Sequence, residues 1–269
     1  GGRIMKTLQF FVLYMRAMIA TNLKAALALR ASFLTSMVMM ALNNIFFVIN
    51  WVIFFDYFDA VRGWGLREMI VLCGIASTGF GMCVFFLGGS RELARLIDEG
   101  NLDTWLVQPK PVLSSALASK CQASGLGDIL SGLGLLVYSG IFTEPSKALV
   151  VAFVSIASCL VFLGASVMVH SLAFWLGRTN QLSRTMQEFL ILFGLYPGGI
   201  HRPFAKVVLY VVLPAGLFAW LPMELIEGFT IENALLLAAG TAAYFGFSLW
   251  VFSRGLLRYA SGSSFAVVA

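Results

Sequence analysis

The residue of this sequence best placed to do chemistry is Asp128, in the run Gly125-Leu126-Gly127-Asp128. Gly-x-Gly-Asp is the arrangement used by aspartyl proteases that work inside membranes. That reaction needs two carboxylates sharing one proton, one acting as base and the other as acid. No aspartate is positioned to be the partner. Asp56 and Asp59 follow the first long apolar run, and Asp98 and Asp103 lie in a charged segment. Asp128 therefore reads as a lone carboxylate in an apolar stretch, which costs roughly 2.5–3.5 kcal/mol unless it is paired or hydrated. It suits a structural role near Lys120, a helix cap, or a place on a cation path.

Other reactive groups are fewer still. His170 and His201 cannot build a metal cluster by themselves, and Cys73, Cys83, Cys121 and Cys159 show no CxxC spacing. Neither a zinc site nor a disulfide framework is expected. None of the 26 glycines precedes a lysine and no GxGxxG occurs. A phosphate-cradling Walker loop is thus missing, and no cofactor or metal is expected on this chain.

A different kind of chemistry, protein recognition, is suggested by Arg91 to Pro109. Leu93, Leu96 and Ile97 recur at helical spacing with charges on the other face, and Gly100 is a natural helix stop. Asp103 can cap a second short helix carrying Trp105 and Leu106, which Pro109 and Pro111 end. The result is helix, glycine hinge, helix, with an aromatic on a polar knuckle, a form suited to docking another protein.

The elements that carry these residues follow from composition. Of 269 residues, 18 are Lys or Arg and 13 Asp or Glu; 59% are hydrophobic and only 12% charged. Ordinary soluble domains are about 25% charged, so a soluble enzyme and a disordered chain are both excluded. No alternating ten-residue pattern of a β-barrel is visible. An all-α polytopic membrane protein remains.

Charge-free runs of about 20 residues match the hydrocarbon core. They predict six spans near 31–55, 67–90, 115–142, 148–177, 186–198 and 231–254, a cytoplasmic loop at 91–111 and a re-entrant segment at 203–223. Tyr196-Pro197-Gly198-Gly199 and His201-Arg202-Pro203 break the fifth apolar region. Non-helical backbone at that depth must be buried in protein or line a wet cavity. Thirteen basic residues fall on the side of both termini and five on the other, which places the termini in the cytoplasm. The net charge of +5 has this same origin, and no nucleic-acid partner is expected.

Residues 1–4 look like a cloning scar before an initiator Met5, and 260–269 form a cytoplasmic tail. No cleaved signal is expected, because mixed residues separate Met5 from the first long apolar run. In 5–30, Lys6, Gln9, Arg16, Lys24 and Arg30 share an arc opposite Phe11, Tyr14, Met15 and Met18. That pattern predicts an amphipathic helix in the bilayer interface, or one packed on other spans. Gly127 with Ser131, Gly74 with Thr78 and Ser77 with Gly81 are small-residue pairs that let helices approach. Asn43, Asn44 and Asn50 can bond between helices or line a wet route.

In Gly100, Leu102, Asp103, Leu106 and Pro109 the chain resembles the permease subunits of ABC exporters of the second type, in a bacterial branch with uncharacterised or drug-like substrates. These residues follow a Gly-x-Leu-Asp-x-x-Leu-x-x-Pro pattern. A second match is Tyr196-Pro197 followed by Leu213-Pro214, Leu221-Pro222 and Gly228. The resemblance runs from Met5 to about Tyr259.

It implies that Gly100, Leu102, Asp103, Trp105, Leu106 and Pro109 meet a separate ATPase subunit, which carries ATP and Mg. It also implies a second permease, copy or paralogue, and a plasma-membrane location. Because the second and fifth spans face the dimer axis in that family, Ser77, Thr78, Phe80, Phe189 and Phe193 become candidates for the substrate path. Asn43 and Asp128 join them. Tyr196, Pro197, His201 and Arg202 are candidates for an outer gate, and the substrate is expected to be small and amphipathic. The rival expectation is a secondary transporter or channel, which would carry inverted repeats and several intramembrane ionisable residues.

Overall fold

The computed structural model describes residues 2–61, 63–197, 208–210 and 212–259, with the backbone alone for residues 2–8. His201, Arg202 and much of the expected re-entrant segment therefore lie outside the described residues. Among those described, the architecture is all-α, with one isolated two-residue bridge between Val61 and Trp64.

Helix α1 runs Gly2–Ala28 and α2 Arg30–Tyr57, parted only by Leu29. Helix α3, Leu66–Leu87, passes through a 3-10 turn at Gly88–Glu92 into the short α4 (Leu93–Asp98), α5 (Asp103–Leu106) and α6 (Val112–Leu117). Then come α7 (Ala123–Tyr138), α8 (Pro145–Ser171), α9 (Ala173–Leu176) and α10 (Asn180–Gly194). A π turn at Gly216–Trp220 leads into α11 (Leu221–Glu227), and α12 (Ile231–Leu256) closes the fold. Starts follow local chemistry. Pro145 opens α8, where its missing N–H costs nothing. The Thr230 side chain accepts from the Asn233 amide to cap α12.

Gln9–Ala28, Arg30–Tyr57, Leu66–Asp98, Pro145–Leu176 and Ile231–Leu256 are long and apolar enough to cross a membrane by length and composition. Helix α7 is apolar but shorter. The segment expected at 115–142 divides because the backbone leaves helical geometry around Lys120 and Gln122. The one expected at 186–198 begins earlier, at Asn180, and its helix ends at Gly194.

Helix α3 forms the centre, between α7 on one side and α8 on the other, and α2 covers α7 while α12 covers α8. Glycines permit the inner contact. A Cβ on Gly81 would lie 2.6 Å from the Gly125 carbonyl oxygen, and one on Gly74 3.0 Å from that of Gly132. The π turn and α11 are buried nearly all round: Phe218, Trp220, Met223 and Ile226 are each almost fully enclosed. The Ser158 hydroxyl donates to the Phe218 carbonyl (2.6 Å) and the Trp220 indole to that of Tyr196 (2.9 Å). The π turn is thereby enclosed by protein. In contrast, the outer face of α2 shows Val38, Leu42, Ile45, Phe46 and Ile53 uncovered by the rest of the chain.

Charges gather at the two ends of α3. At one end Arg67 pairs with Glu227 at 3.0 Å, and at the other Glu92 pairs with Lys120 at 3.0 Å. The 25 residue steps from Arg67 to Glu92, at 1.5 Å each, span about 37 Å.

Candidate functional site

The turn after α3 is built to press against α6. Gly88, Gly89 and Ser90 are buried, and a side chain on Gly89 would overlap the Ala116 carbonyl. Helix α4 then buries Leu93, Ala94 and Ile97 and exposes its charged face. It ends in a Schellman arrangement: Asn101 N–H bonds the Leu96 carbonyl (2.9 Å) and Gly100 N–H that of Ile97 (3.2 Å). Gly100 takes the left-handed backbone this needs, with φ +73°.

Leu102 is fully buried and pins the knuckle from below, while Val107 at its tip is 83% exposed beside the exposed Leu106 and Pro109. Trp105 is half-buried against the core. Asp103 does not sit at the cap position expected of it. It is the first residue of α5, behind Leu102, and no side-chain cap bond forms there. Instead it lies close to the Tyr259 hydroxyl, whose pKa is pushed up to about 12 by burial and then by that carboxylate.

Glu92, the first acidic residue past α3, is the hub of this region. Its side chain is 13% exposed and meets Arg95 at 2.9 Å, Lys120 at 3.0 Å and Arg184 at 3.6 Å. Burial pushes its carboxyl up, but Lys120 and Arg95 outweigh burial and hold it below the usual range. Asp98, at the far end of α4, has its carboxyl raised by burial, although the backbone amides of Arg178 and Thr179 offset part of that. The short α4 is thus tied at both ends to the start of α10 and at one end to the approach to α7. Beneath it lies a buried polar network. Gln187 donates to Ser166 (2.5 Å), Ser166 to the Ser90 carbonyl (3.1 Å), and a His170 ring nitrogen lies 2.8 Å from the Ser166 carbonyl.

A second polar group lies between α2 and α7. Asp128 is 2% exposed, and Asn44 donates to its Oδ1 and to the Ser131 hydroxyl, both at 2.8 Å. Its other oxygen, Oδ2, is buried without a hydrogen-bond partner. The carboxylate is thus bonded by the Asn44 amide, while the Ser131 hydroxyl donates to the backbone carbonyls of Gly127 (2.8 Å) and Asp128 (3.2 Å), and among the described residues no second carboxylate is bonded to it as a protease pair would require. Asn43, one residue from Asn44, points out of the bundle and is exposed.

The remaining path candidates are not gathered into one lumen. Thr78 is buried and bonded to the Gly74 carbonyl. Phe80 is buried edge-on against Phe162, with the Arg91 guanidinium 5.8 Å from its ring centre. Ser77 is half-buried. Phe189 and Phe193 contact one another at 6.2 Å on α10, Phe189 exposed and Phe193 partly covered.

Tyr196 and Pro197 do meet a partner. Trp51 contacts the Tyr196 ring at 5.5 Å, and a cleft of about 340 Å3 opens between Phe47, Asn50, Trp51, Phe54, Val61, Tyr196 and Pro197. Sequence reasoning passed over Phe47, Trp51 and Phe54. Their i, i+4, i+7 spacing was the available signal. Glu92 was also missed, since its partners at 120 and 184 are distant in sequence.

Among the described residues no group of three or more metal-ligating side chains occurs. No curated protein and no solved structure matches the chain. The family described as ABC-2 family transporter protein does match, over residues 37–263. That region runs from within α2, through the α4–α5 knuckle and the buried α11, to beyond α12. A multi-pass, all-α chain matched over most of its length is thereby placed: it belongs to the ABC-2 transporter family, as a membrane permease of an ABC transporter.

Proposed function

We propose that this permease is an exporter subunit whose α4–α5 knuckle docks a separate ATPase. The observation that carries the reading is the double tether of α4, through Glu92 to Lys120 and Arg184 and through Asp98 to the backbone at 178–179. A force applied to the exposed Leu106, Val107 and Pro109 would reach the starts of α7 and α10 through short contacts. ATP and Mg belong to the partner subunit. Closure of two such subunits would push two knuckles and swing the spans between inward and outward access.

A second permease, a copy or a paralogue, would cover exposed surface that includes Asn43 and Phe189 and complete the path. The aromatic cleft at Tyr196 and Pro197 suits the apolar part of a small amphipathic substrate. The distribution of basic residues supports a cytoplasmic side for the termini and the knuckle, and the resemblance to bacterial exporters supports a plasma-membrane location.

Affinity capture of the tagged chain tests this. A stoichiometric ATPase should copurify and be lost on Val107→Asp or Trp105→Ala while the permease stays folded. Transport by the chain alone in liposomes without ATP would refute the proposal in favour of a secondary transporter or channel.

A further inference from the structure

We propose that the elbow between α1 and α2 binds the headgroup of an anionic phospholipid, with Lys24 and Arg30 holding its phosphate. The helices are parted by one residue, and beside it lies an open groove of about 620 Å3 lined by Lys24, Leu27, Ala28, Arg30, Phe33 and Leu34. Both cations are exposed, and among the described residues neither forms an ion pair. The shortage of acid is general here. No Asp or Glu precedes Asp56, while Arg3, Lys6, Arg16, Lys24 and Arg30 all do.

The apolar part of the groove selects among anions. Leu27 is 43% and Leu34 55% exposed, and the buried Phe33 also lines the groove. An inorganic anion would satisfy Lys24 and Arg30 but would leave both leucines uncovered. A phospholipid satisfies both chemistries, with its phosphate on the cations and its glycerol and first methylenes on Leu27 and Leu34. Farther along α1, Phe10 and Leu13 are each 62% exposed and add apolar surface on the same helix.

Helix α1 itself is fastened at the protein boundary. The Tyr14 hydroxyl bonds that of Ser115 (2.8 Å), Asn22 donates to the Ala118 carbonyl (2.6 Å), and the Lys110 ammonium lies 4.3 Å from the centre of the Tyr14 ring. The elbow is therefore a fixed site, and a basic cluster beside apolar surface at a bilayer face is how anionic headgroups are recognised. This inference rests on the membrane assignment and not on docking of an ATPase, so failure of the capture experiment would leave it standing.

The test is native mass spectrometry of the purified full chain in neutral detergent, titrated with phosphatidylglycerol or phosphatidylcholine. The wild type should prefer phosphatidylglycerol, and that preference should fall with rising salt. Each cation near an anionic headgroup is worth roughly fivefold in affinity, so Lys24→Gln with Arg30→Gln should weaken phosphatidylglycerol about 25-fold and phosphatidylcholine, whose phosphate is already balanced by its own choline cation, much less. Arg254→Gln with Arg258→Gln, an equal loss of charge elsewhere, should keep the preference. If the double variant does not fold, Lys24→Gln alone should give the roughly fivefold loss, and the salt dependence of the wild type needs no variant.

Four results would each overturn the proposal: a wild type without preference, a preference insensitive to salt, an equal loss in the control, or displacement of the lipid by millimolar inorganic phosphate. The last would make the elbow a site for a soluble anion.

Discussion

The contact between α3 and α7 makes a prediction that separates glycines of one helix from each other. The helices run antiparallel, and Gly81 faces Gly125 as Gly74 faces Gly132. A methyl group on Gly81 would stand 2.6 Å from the Gly125 oxygen, 2.7 Å from the Asp128 Cβ and 2.8 Å from the Ile129 nitrogen. Carbon needs about 3.5 Å, so Gly81→Ala must part the helices by close to 1 Å, a gap that forfeits roughly a quarter to a half of each local dispersion contact.

Two of the three obstacles are backbone and cannot rotate away. The cost therefore belongs at the top of the overpacking range, about 3 kcal/mol, or roughly 100-fold in the folding equilibrium. Gly125→Ala meets the Phe85 nitrogen and the Gly81 oxygen at 2.6 and 2.7 Å and should cost as much. The double variant should cost less than the sum, because one displacement relieves both clashes.

Gly134, in the same helix α7, has nothing within 4 Å of a Cβ, so Gly134→Ala should be neutral or gain up to about 1 kcal/mol. The assay is unfolding of purified variants in mixed micelles by titration with sodium dodecyl sulfate, followed by circular dichroism. Equal midpoints for Gly81→Ala and Gly134→Ala would refute the seam.

Further outcomes follow from the polar contacts and from the backbone at Gly100. Glu92→Gln should destabilise the fold by roughly 1–2 kcal/mol, since three partly exposed ion pairs weaken together. The Glu92 carboxyl is held low in the fold, so its contribution is complete above the unfolded value of about 4.3 and is lost as pH falls through the lower folded value. The gap between wild type and Gln, measured by thermal unfolding, should thus be flat from roughly pH 6 to 8 and close only in acid; a gap that opens or closes near neutrality would contradict this. Asn44→Leu removes the donor to both Asp128 and Ser131 and should cost about 1–3 kcal/mol, whereas Asp128→Asn keeps an acceptor for Asn44 and should cost less by the same assay. If Asp128 serves a cation path, Asp128→Asn should also weaken export of a cationic substrate in vesicles; unchanged transport would remove it from the path. Gly100→Ala puts a side chain at φ +73°, costing about 1–2 kcal/mol, and should reduce ATPase capture more than it lowers the unfolding midpoint.

Much of this was legible from residue types. Apolar runs between charges predicted four of the long helices, because leaving water depends on local composition. Gly100 read correctly as a helix stop, since the left-handed position that ends α4 admits few other residues. Asp103 read incorrectly as a cap. Its neighbour Leu102 takes the cap position because burying that leucine outweighs one side-chain hydrogen bond, and burial of this kind is set by distant contacts.

By itself, then, the sequence determined that the chain lives in a membrane, where four of its long helices lie, and which stretch forms a charged knuckle. These are properties of neighbours in the chain. Tertiary structure alone decided that Asn44 and not Asn43 holds Asp128, that Phe80 and Thr78 are interior, and that Gly81 and Gly125 must be small while Gly134 is unconstrained. It also made Glu92 a hub by bringing Lys120 and Arg184, 28 and 92 positions away, to one carboxylate. Helical period shows that a residue has a face. Which helix meets that face depends on packing among segments far apart in the chain.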